Sequence, residues 1–247
     1  MYMPAKFIFS EDWSTANRAQ SWLKEVEQYG KNSYVLGILN LIEGCKPRRV
    51  FDVGCGNGFP FASSLLEKNI EVHGCDPSLS LLKEATRQYP ALRWYHTGYE
   101  HMVEKINGAR YDVVYCLRST WLFPNIISAL GNMLEITKPG GIIIFDIMNS
   151  DSPEISKFIK TMRKKKYRTF FKNIVKLVLN TVVRTSYSYA SGIDKNYPVS
   201  PNQVDTFLIR KKFLFKKFTF SQMSGENTSY DPLAFRILYC VQVPENI

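Results

Sequence analysis

Three glycines alternate with other residues in the stretch "VFDVGCGNGFP" at 50–60, and their spacing indicates which ligand the turn could bind. A P-loop for a nucleoside triphosphate requires G-x-x-x-x-G-K-[ST], and the chain contains neither Gly-Lys-Ser nor Gly-Lys-Thr. The dinucleotide pattern G-x-G-x-x-G needs a glycine at 59, where this chain has Phe59 followed by Pro60. These side chains would crowd a pyrophosphate at a helix N-terminus, so the spacing G-x-G-x-G predicts a ligand without phosphates.

Two carboxylates accompany the glycine turn. Asp52 precedes the first glycine by two residues, and beside the exposed backbone of Gly54 and Gly56 it could accept hydrogen bonds from an ammonium group. Asp76 ends the next predicted strand, where Pro77 holds it extended and a carboxylate can accept from both hydroxyls of a ribose. The pattern therefore predicts a site for an adenosyl group joined to an amino acid.

The same stretches resemble a known family. "VFDVGCGNG" resembles the D-x-G-x-G-x-G motif of the class I S-adenosylmethionine-dependent methyltransferases, and "GCDPS" resembles their ribose-binding strand end. "LEITKPGGIIIFD" is similar to their entry into the fifth strand, and the resemblance covers 46–150 well and the hairpin at 213–243 loosely. It implies S-adenosylmethionine as cofactor and S-adenosylhomocysteine as product, with the first motif beside the methionine part and Asp76 on the ribose.

After the third predicted strand the chain departs from the family, which often has Gly-Asp-Ala-Glu there. The stretch "TGYEHM" puts Gly98 at the aspartate position and Glu100 at the glutamate position, so the adenine is expected to contact the backbone of Gly98 and Tyr99 or the ring of Tyr99. Cys116 and Leu117 fall where the family lines the floor under the sulfonium. The resemblance thus implies a cofactor-binding set of Asp52, Gly54, Cys55, Gly56, Asp76, Pro77, Gly98, Tyr99, Glu100, Cys116 and Leu117.

The residues around the methyl acceptor carry a weaker signal. Methyl transfer from a sulfonium is an in-line displacement, so the protein's main task is to align the nucleophile and exclude water. No catalytic residue is assigned, because His73, His96 and His101 all fit structural positions better than that of a general base. The candidate substrate contacts are aromatic side chains near the N-terminus and arginines at the sheet edge or in the later insertion: Trp13, Tyr34, Arg118 and Arg163.

The positive charge of the chain is concentrated in its last two fifths. Residues 1–150 have equal numbers of acidic and basic side chains, so the net charge of +10 lies within 151–247. The segment 157–172 is rich in lysine and arginine and contains no acid. Three interpretations remain: a solvated helix face, a site for an anionic acceptor that also contacts Arg118 or Arg163, or a contact surface for RNA or an anionic membrane.

Strand and helix patterns alternate through the middle of the chain. Five apolar runs predict strands buried on both faces, at 48–54, 70–76, 92–98, 111–117 and 141–148, and helical patterns separate them. Two further strands are expected at 213–221 and 233–243, and the "TKPGG" stretch at 137–141 is expected to be a turn. The fold class predicted is therefore α/β: a doubly wound seven-stranded sheet with five parallel strands and a closing antiparallel hairpin.

This pattern also suggests a domain organisation. We expect an N-terminal helical lid at 1–45, a cofactor-binding α/β core at 46–150, a basic helical cap insertion at 151–200, and a closing helix and hairpin of the core at 201–247. Ser200 is expected to cap the closing helix, with Pro201 at its first position.

Composition is typical of one globular domain, with 45% hydrophobic and 22% charged residues in 247. The start of the chain has no signal-peptide pattern, and no apolar run is long enough to span a bilayer, so a cytoplasmic protein is expected. The five cysteines are odd in number and form no C-x-x-C pair, which predicts reduced, buried thiols and no metal site.

Together these features predict a methyltransferase that acts on a small, anionic, phosphate- or carboxylate-bearing metabolite, with oxygen as the favoured acceptor atom. Two alternatives remain: an RNA methyltransferase that uses the basic C-terminal part, and a non-catalytic module that binds S-adenosylmethionine on the same fold.

Overall fold

The computed structural model describes residues 32–157, 198–226 and 229–245. Within this part the strands are β1 Arg49–Val53, β2 Glu71–Asp76, β3 Arg93–His96, β4 Tyr111–Cys116, β5 Thr137–Met148, β6 Leu214–Thr219 and β7 Arg236–Gln242. The helices are α1 Ser33–Gly44, α2 Phe61–Leu66, α3 Leu79–Gln88, α4 Met102–Ile106, α5 Ile126–Ile136, α6 Pro201–Arg210 and α7 Phe220–Met223, with a 3₁₀ turn at Thr120–Leu122. Residues 153–157 are also helical.

The seven strands form one sheet in the order β3-β2-β1-β4-β5-β7-β6. Strands β1 to β5 are parallel, whereas β7 is antiparallel to both β5 and β6. This confirms the predicted fold class. Strand β6 forms one edge of the sheet, and β7 lies between β5 and β6. Accordingly, Leu238 and Tyr239 of β7 are buried, while Leu214 and Lys216 of β6 are exposed.

Two element boundaries differ from the sequence prediction. The stretch 137–141, expected to be a turn, is already part of β5, because Thr137 pairs with Tyr111 before the register shifts. Gly140 has φ +74 there. The sixth strand ends at Thr219, which forms a capping box with Gln222 and begins α7 instead of continuing the strand to 221.

Helix α1 packs against one face of the sheet through an apolar stripe that includes Tyr34, Ile38 and Ile42. Asn32 caps its N-terminus by accepting a hydrogen bond from the backbone of Val35 at 3.0 Å. The described part of the predicted N-terminal lid therefore belongs to the sheet packing. Helices α4, α5 and α6 contribute to the hydrophobic cluster on the other face.

The close packing of α1 against α7 depends on Gly37. A Cβ at Gly37 would collide with the backbone carbonyl of Met223. We therefore expect Gly37→Ala to lower the free energy of unfolding by about 1–3 kcal/mol, the usual effect of overpacking.

A second helical glycine supplies the control. Gly131 of α5 is exposed, and a Cβ there meets no atom within 4 Å, so Gly131→Ala should raise stability by about 0.5–1 kcal/mol. Urea denaturation of the two variants measures both effects. An unchanged or raised stability for Gly37→Ala would contradict the proposed contact.

Helix α6 begins at Pro201 as predicted, and Ser200 occupies the N-cap position. The expected capping bond is absent, because the Ser200 hydroxyl donates instead to Oδ2 of Asp151 at 3.0 Å. Asp205 joins the helix to the hairpin, since it accepts from the Tyr239 hydroxyl at 2.9 Å and pairs with Lys217 at 2.7 Å.

All five cysteines are free thiols. Cys55, Cys75 and Cys116 are buried, whereas Cys240 is partly buried and Cys45 is exposed, which corrects the expectation that all five are buried. No helix in the described part of the chain combines the length and the apolar character that a membrane span requires.

Candidate functional site

The predicted cofactor residues follow the carboxyl ends of adjacent strands. β1 pairs in parallel with β2 on one side and with β4 on the other, so these three strands end at the same edge of the sheet. The strand order changes direction between β1 and β4, which is where open α/β sheets bind ligands. Gly54, Asp76 and Leu117 therefore lie along one edge at the switch point.

The glycine turn has the left-handed backbone that its spacing suggested. Gly54, Gly56 and Gly58 have φ values of +78, +55 and +82. The carbonyl of Cys75 accepts from the backbone N–H groups of Gly54 at 2.8 Å and Cys55 at 3.0 Å, which fixes the turn to the end of β2. Glycine is favoured at these positions because residues with a side chain rarely adopt this backbone conformation.

The carboxylate of Asp76 also holds the glycine turn in place through a hydrogen bond. Its Oδ2 accepts from the backbone N–H of Gly56 at 2.9 Å, and its Oδ1 accepts from that of Ser78 at 2.8 Å. Burial raises the pKa of Asp76, while these two hydrogen bonds and His96 oppose the rise. Each carboxylate oxygen has a second lone pair, so Asp76 can still accept from two hydroxyl groups.

Asp52 is a buried carboxylate of β1 with 6% exposure. Burial raises its pKa well above the usual aspartate value, the nearby Tyr115 lowers it, and Asp76 raises it further. Tyr115 lies opposite Asp52 in the β1–β4 register, but its buried hydroxyl falls short of hydrogen-bond geometry. None of the described lysines or arginines forms an ion pair with Asp52. A cationic ligand group would offset the cost of ionising this carboxyl.

Cys55, Cys116 and Leu117 have buried side chains that pack into the protein. The side chain of Cys55 covers Gly74 of β2, where an added Cβ would lie 2.9 Å from the Cβ of Cys55. Cys116 and Leu117 belong to the hydrophobic clusters on opposite faces of the sheet. Burial raises the pKa of the Cys55 and Cys116 thiols, so both remain protonated packing groups.

The loop after β3 holds the residues expected to contact the adenine. The Tyr99 ring is 6% exposed and packs against Phe123 at a centroid distance of 4.4 Å. Asn132 donates to the Tyr99 carbonyl at 2.9 Å. The Tyr99 side chain therefore packs into the core, which favours the backbone of Gly98 and Tyr99 over ring stacking as the adenine contact. Glu100 is exposed beside Gly98, where its carboxylate would collide with an added Cβ.

The candidate substrate residues are dispersed. Trp13 and Arg163 lie outside the described residues, as does the basic segment beyond Lys157. Tyr34 is 5% exposed and stacks on Phe220 with a centroid distance of 4.6 Å, so its ring packs α1 against α7. Arg118 is the second residue after β4 and has φ +59, an uncommon conformation for a residue other than glycine.

Four residues that sequence reasoning did not select lie beside this edge. Ser119 donates from its hydroxyl to the Gly54 carbonyl at 3.1 Å and covers the turn. Asp146 of β5 is fully buried and pairs with Arg236 of β7 at 2.5 Å. The Arg236 guanidinium lies 4.1 Å from the ring centroid of Trp121. The one available signal was the single acid in the otherwise apolar strand "GIIIFDIM".

The three histidines lie apart from one another. His73 is buried between Tyr111, at 2.9 Å from Nδ1, and Glu71, at 2.8 Å from Nε2, and these partners stand at the opposite, amino-terminal edge of the sheet. His96 contacts the Pro77 carbonyl at 3.0 Å, and His101 is exposed. The described residues contain no cluster of three histidine, cysteine, aspartate or glutamate side chains that could hold a metal.

Comparison with known proteins identifies the family. Residues 17–175 match the family model described as "Methyltransferase domain", which is more than half of the chain. The chain belongs to this methyltransferase family. Its fold, a mixed seven-stranded sheet with a terminal antiparallel hairpin, is that of the class I S-adenosylmethionine-dependent methyltransferases, which confirms the resemblance inferred from the motifs.

Two curated relatives and two solved structures illustrate the similarity of this methyltransferase chain. The ubiquinone biosynthesis O-methyltransferase of Alkalilimnicola ehrlichii is 33% identical over 120 residues, covering 47% of each chain. That of Vibrio cholerae is 30% identical over 115 residues, covering 45% of this chain and 46% of the relative. The match thus spans about half the length of these relatives.

The solved structures share the fold at low identity. An S-adenosylmethionine-dependent methyltransferase from Clostridium acetobutylicum has a TM-score of 0.60 at 15% identity, covering 91% of this chain and 99% of that one. Magnesium protoporphyrin IX methyltransferase from Synechocystis, solved with bound SAH, has a TM-score of 0.58 at 12% identity, covering 94% and 97%.

Proposed function

We propose that the protein is a methyltransferase that uses S-adenosylmethionine to methylate an oxygen atom of a small, anionic metabolite. The observation that carries the proposal is the pair of buried carboxylates, Asp52 and Asp76, on either side of a left-handed glycine turn. Family membership supports the reaction class, and relatives named O-methyltransferases support oxygen as the acceptor.

The described residues fit this cofactor. Asp52 is a buried carboxyl without an ion pair among them, suited to the ammonium of the methionine part. Asp76 has lone pairs left for the two ribose hydroxyls, and the backbone at Gly54 and Gly56 permits close approach. The backbone of Gly98 would border the adenine.

When bound, S-adenosylmethionine supplies a methyl group on a positively charged sulfur. The chain's own residues hold and orient the ligands and exclude water around them, which is the main requirement of an in-line displacement. The Cys116–Leu117 backbone at the end of β4 would lie beneath the reacting centre. No described side chain is assigned as a general base.

The predicted domain organisation is part of this proposal, with residues 151–200 as a cap that covers the methyl acceptor. An anionic acceptor would be attracted by the basic character of residues 151–247. RNA as the acceptor and a purely cofactor-binding role are the outcomes against which the proposal is tested.

Calorimetry with S-adenosylhomocysteine tests the cofactor, and we expect saturable one-to-one binding. Incubation with methyl-labelled S-adenosylmethionine and a fractionated metabolite extract tests the acceptor, and we expect label on an oxygen of an anionic small molecule. Label on RNA would replace the substrate proposal. Binding without label on any acceptor would indicate a non-catalytic module, and absence of binding would refute the proposal altogether.

The raised pKa of Asp52 predicts a pH dependence. Because burial favours its neutral form, the stability that Asp52 contributes to the ligand-free protein is present below the ordinary aspartate pKa and is lost as pH rises through the raised value. A bound ammonium reverses this preference. S-Adenosylhomocysteine should therefore raise the melting temperature more at about pH 7 than at about pH 5.

Thermal unfolding with and without S-adenosylhomocysteine at both pH values measures this effect. Asp52→Asn carries no charge at either pH, so its ligand-induced shift should vary less between them. A wild-type shift as large at the lower pH as at the higher one would argue against an ammonium beside Asp52.

A further inference from the structure

Asp146 and its ion-pair partner Arg236 together contact three residues of the short segment that follows β4. Oδ1 of Asp146 accepts from the backbone N–H of Arg118 at 2.7 Å, and its backbone carbonyl accepts from the hydroxyl of Thr120. Oδ2 accepts from Nη1 of Arg236 at 2.5 Å. The guanidinium of Arg236 in turn lies over the ring of Trp121.

The remaining residue of the segment contacts the glycine turn. The hydroxyl of Ser119 donates to the carbonyl of Gly54 at 3.1 Å, and the side chain fills the space that a Cβ at Gly54 would need, at 2.6 Å from Oγ. We call residues 118–121 the post-β4 segment. Asp146 and Arg236 hold this segment on one side, and on the other side Ser119 contacts the glycine turn.

The segment begins with a strained residue. Arg118 has φ +59, and a non-glycine residue keeps such a conformation only where its surroundings impose it. The hydrogen bond from Arg118 N–H to Asp146 is one contact that holds this conformation. Without this acceptor, the backbone at Arg118 would relax to a more common conformation and move Ser119 away from Gly54.

The arrangement also explains why a charge is buried in β5. Asp146 is 0% exposed and its partner Arg236 only 14% exposed, and burying such a pair offers little net stability compared with apolar side chains. A role in orienting the post-β4 segment gives a physical reason for burying the Asp146–Arg236 pair. It also connects β7, 90 residues away in sequence, to the cofactor edge.

We propose that Asp146, supported by Arg236, is a positioning residue that holds the post-β4 segment over the glycine turn and so shapes the pocket for S-adenosylmethionine. This inference rests on the proposed function for the identity of the ligand. The contacts that define it belong to this chain alone.

The test compares two double variants that both remove the buried charges, since a single substitution would leave one charge unpaired and strongly destabilise the protein. Asp146→Asn/Arg236→Met keeps an oxygen acceptor for Arg118 N–H, whereas Asp146→Val/Arg236→Met removes it. S-Adenosylhomocysteine affinity is measured by calorimetry, and stability by thermal unfolding.

We expect the Asn variant to bind within about threefold of the wild type and the Val variant to bind at least about tenfold more weakly, the usual effect of losing a hydrogen bond to a charged group. Their unfolding temperatures should be similar. Adding Arg118→Gly to the Val variant should recover part of the affinity, because glycine adopts φ +59 without strain. Equal affinities of the Asn and Val variants, or no recovery with Arg118→Gly, would overturn the positioning role.

Amide hydrogen exchange of the wild-type protein supplies a test that needs no variant and no ligand. The Arg118 amide should be protected in the ligand-free protein, and exchange at the rate of an open chain would overturn the inference. A wild-type protein that does not bind S-adenosylhomocysteine but protects Arg118 would refute the proposed function and retain the segment's geometry. A protein that binds S-adenosylhomocysteine but leaves the Arg118 amide unprotected would refute the positioning inference and leave the proposed function standing.

Discussion

Asp76→Asn should lower the affinity for S-adenosylhomocysteine by about tenfold to a hundredfold. Both carboxylate oxygens accept from backbone N–H groups, those of Gly56 and Ser78. An asparagine presents its amide group to one of these donors, so one buried N–H loses its acceptor and the glycine turn is released on that side. The same change removes one of the acceptors proposed for the ribose hydroxyls.

A matched carboxylate at the other edge of the sheet separates binding from stability. Oδ2 of Asp112 also accepts from two backbone N–H groups, those of Arg48 at 3.0 Å and Arg49 at 2.8 Å, and its Oδ1 pairs with Lys138. Asp112→Asn should lower the melting temperature yet leave the calorimetric affinity unchanged. If Asp76→Asn bound S-adenosylhomocysteine like the wild type, the assignment of Asp76 to the cofactor would be wrong.

Gly54→Ala should both destabilise the protein and weaken cofactor binding by at least about tenfold. The residue has φ +78, which is unfavourable for alanine by about 1–2 kcal/mol. The new Cβ would also lie 2.7 Å from the Cβ of Ser119, so the turn or the post-β4 segment must move. Overpacking of this kind adds about 1–3 kcal/mol to the loss.

Two further variants separate these causes. Gly108 has φ +77 and no atom within 4 Å of an added Cβ, so Gly108→Ala should show the backbone penalty alone and leave affinity unchanged. Adding Ser119→Gly to Gly54→Ala should recover the steric part of the stability. Chemical denaturation and calorimetry measure both quantities. A Gly54→Ala variant no less stable than Gly108→Ala would show that the contact with Ser119 carries no energy.

The parallel core and the glycine turn were predictable because their signals are local. Strands β1, β2, β4 and β5 contain mostly buried apolar runs, whereas the edge strand β3 has no buried residue, which corrects the expectation that it is buried on both faces. The left-handed positions at Gly54, Gly56 and Gly58 coincide with residues that tolerate them. Asp52 and Asp76 were predictable for the same reason, since each stands at a strand end that the pattern already defines.

The position of Tyr34 was not predictable from its neighbourhood. Its aromatic side chain suits substrate contact and core packing equally well, and the choice depends on α7, which brings Phe220 against it. The order of the last two strands had a signal that was not used: β6 carries Lys216 and Lys217, as edge strands often do, whereas β7 is more apolar.

The sequence by itself determined the fold class, the family and the two carboxylates of the proposed cofactor site, because short-range periodicity and spacing encode strands, turns and the residues that end them. Only the tertiary structure brought Asp146, Arg236 and Trp121 together and placed Ser119 on Gly54. These contacts join residues 65 to 115 positions apart through the sheet order, which no local pattern records. The turn "VFDVGCGNGFP" thus defines what kind of ligand can approach, and the packing of distant strands decides how the turn is held.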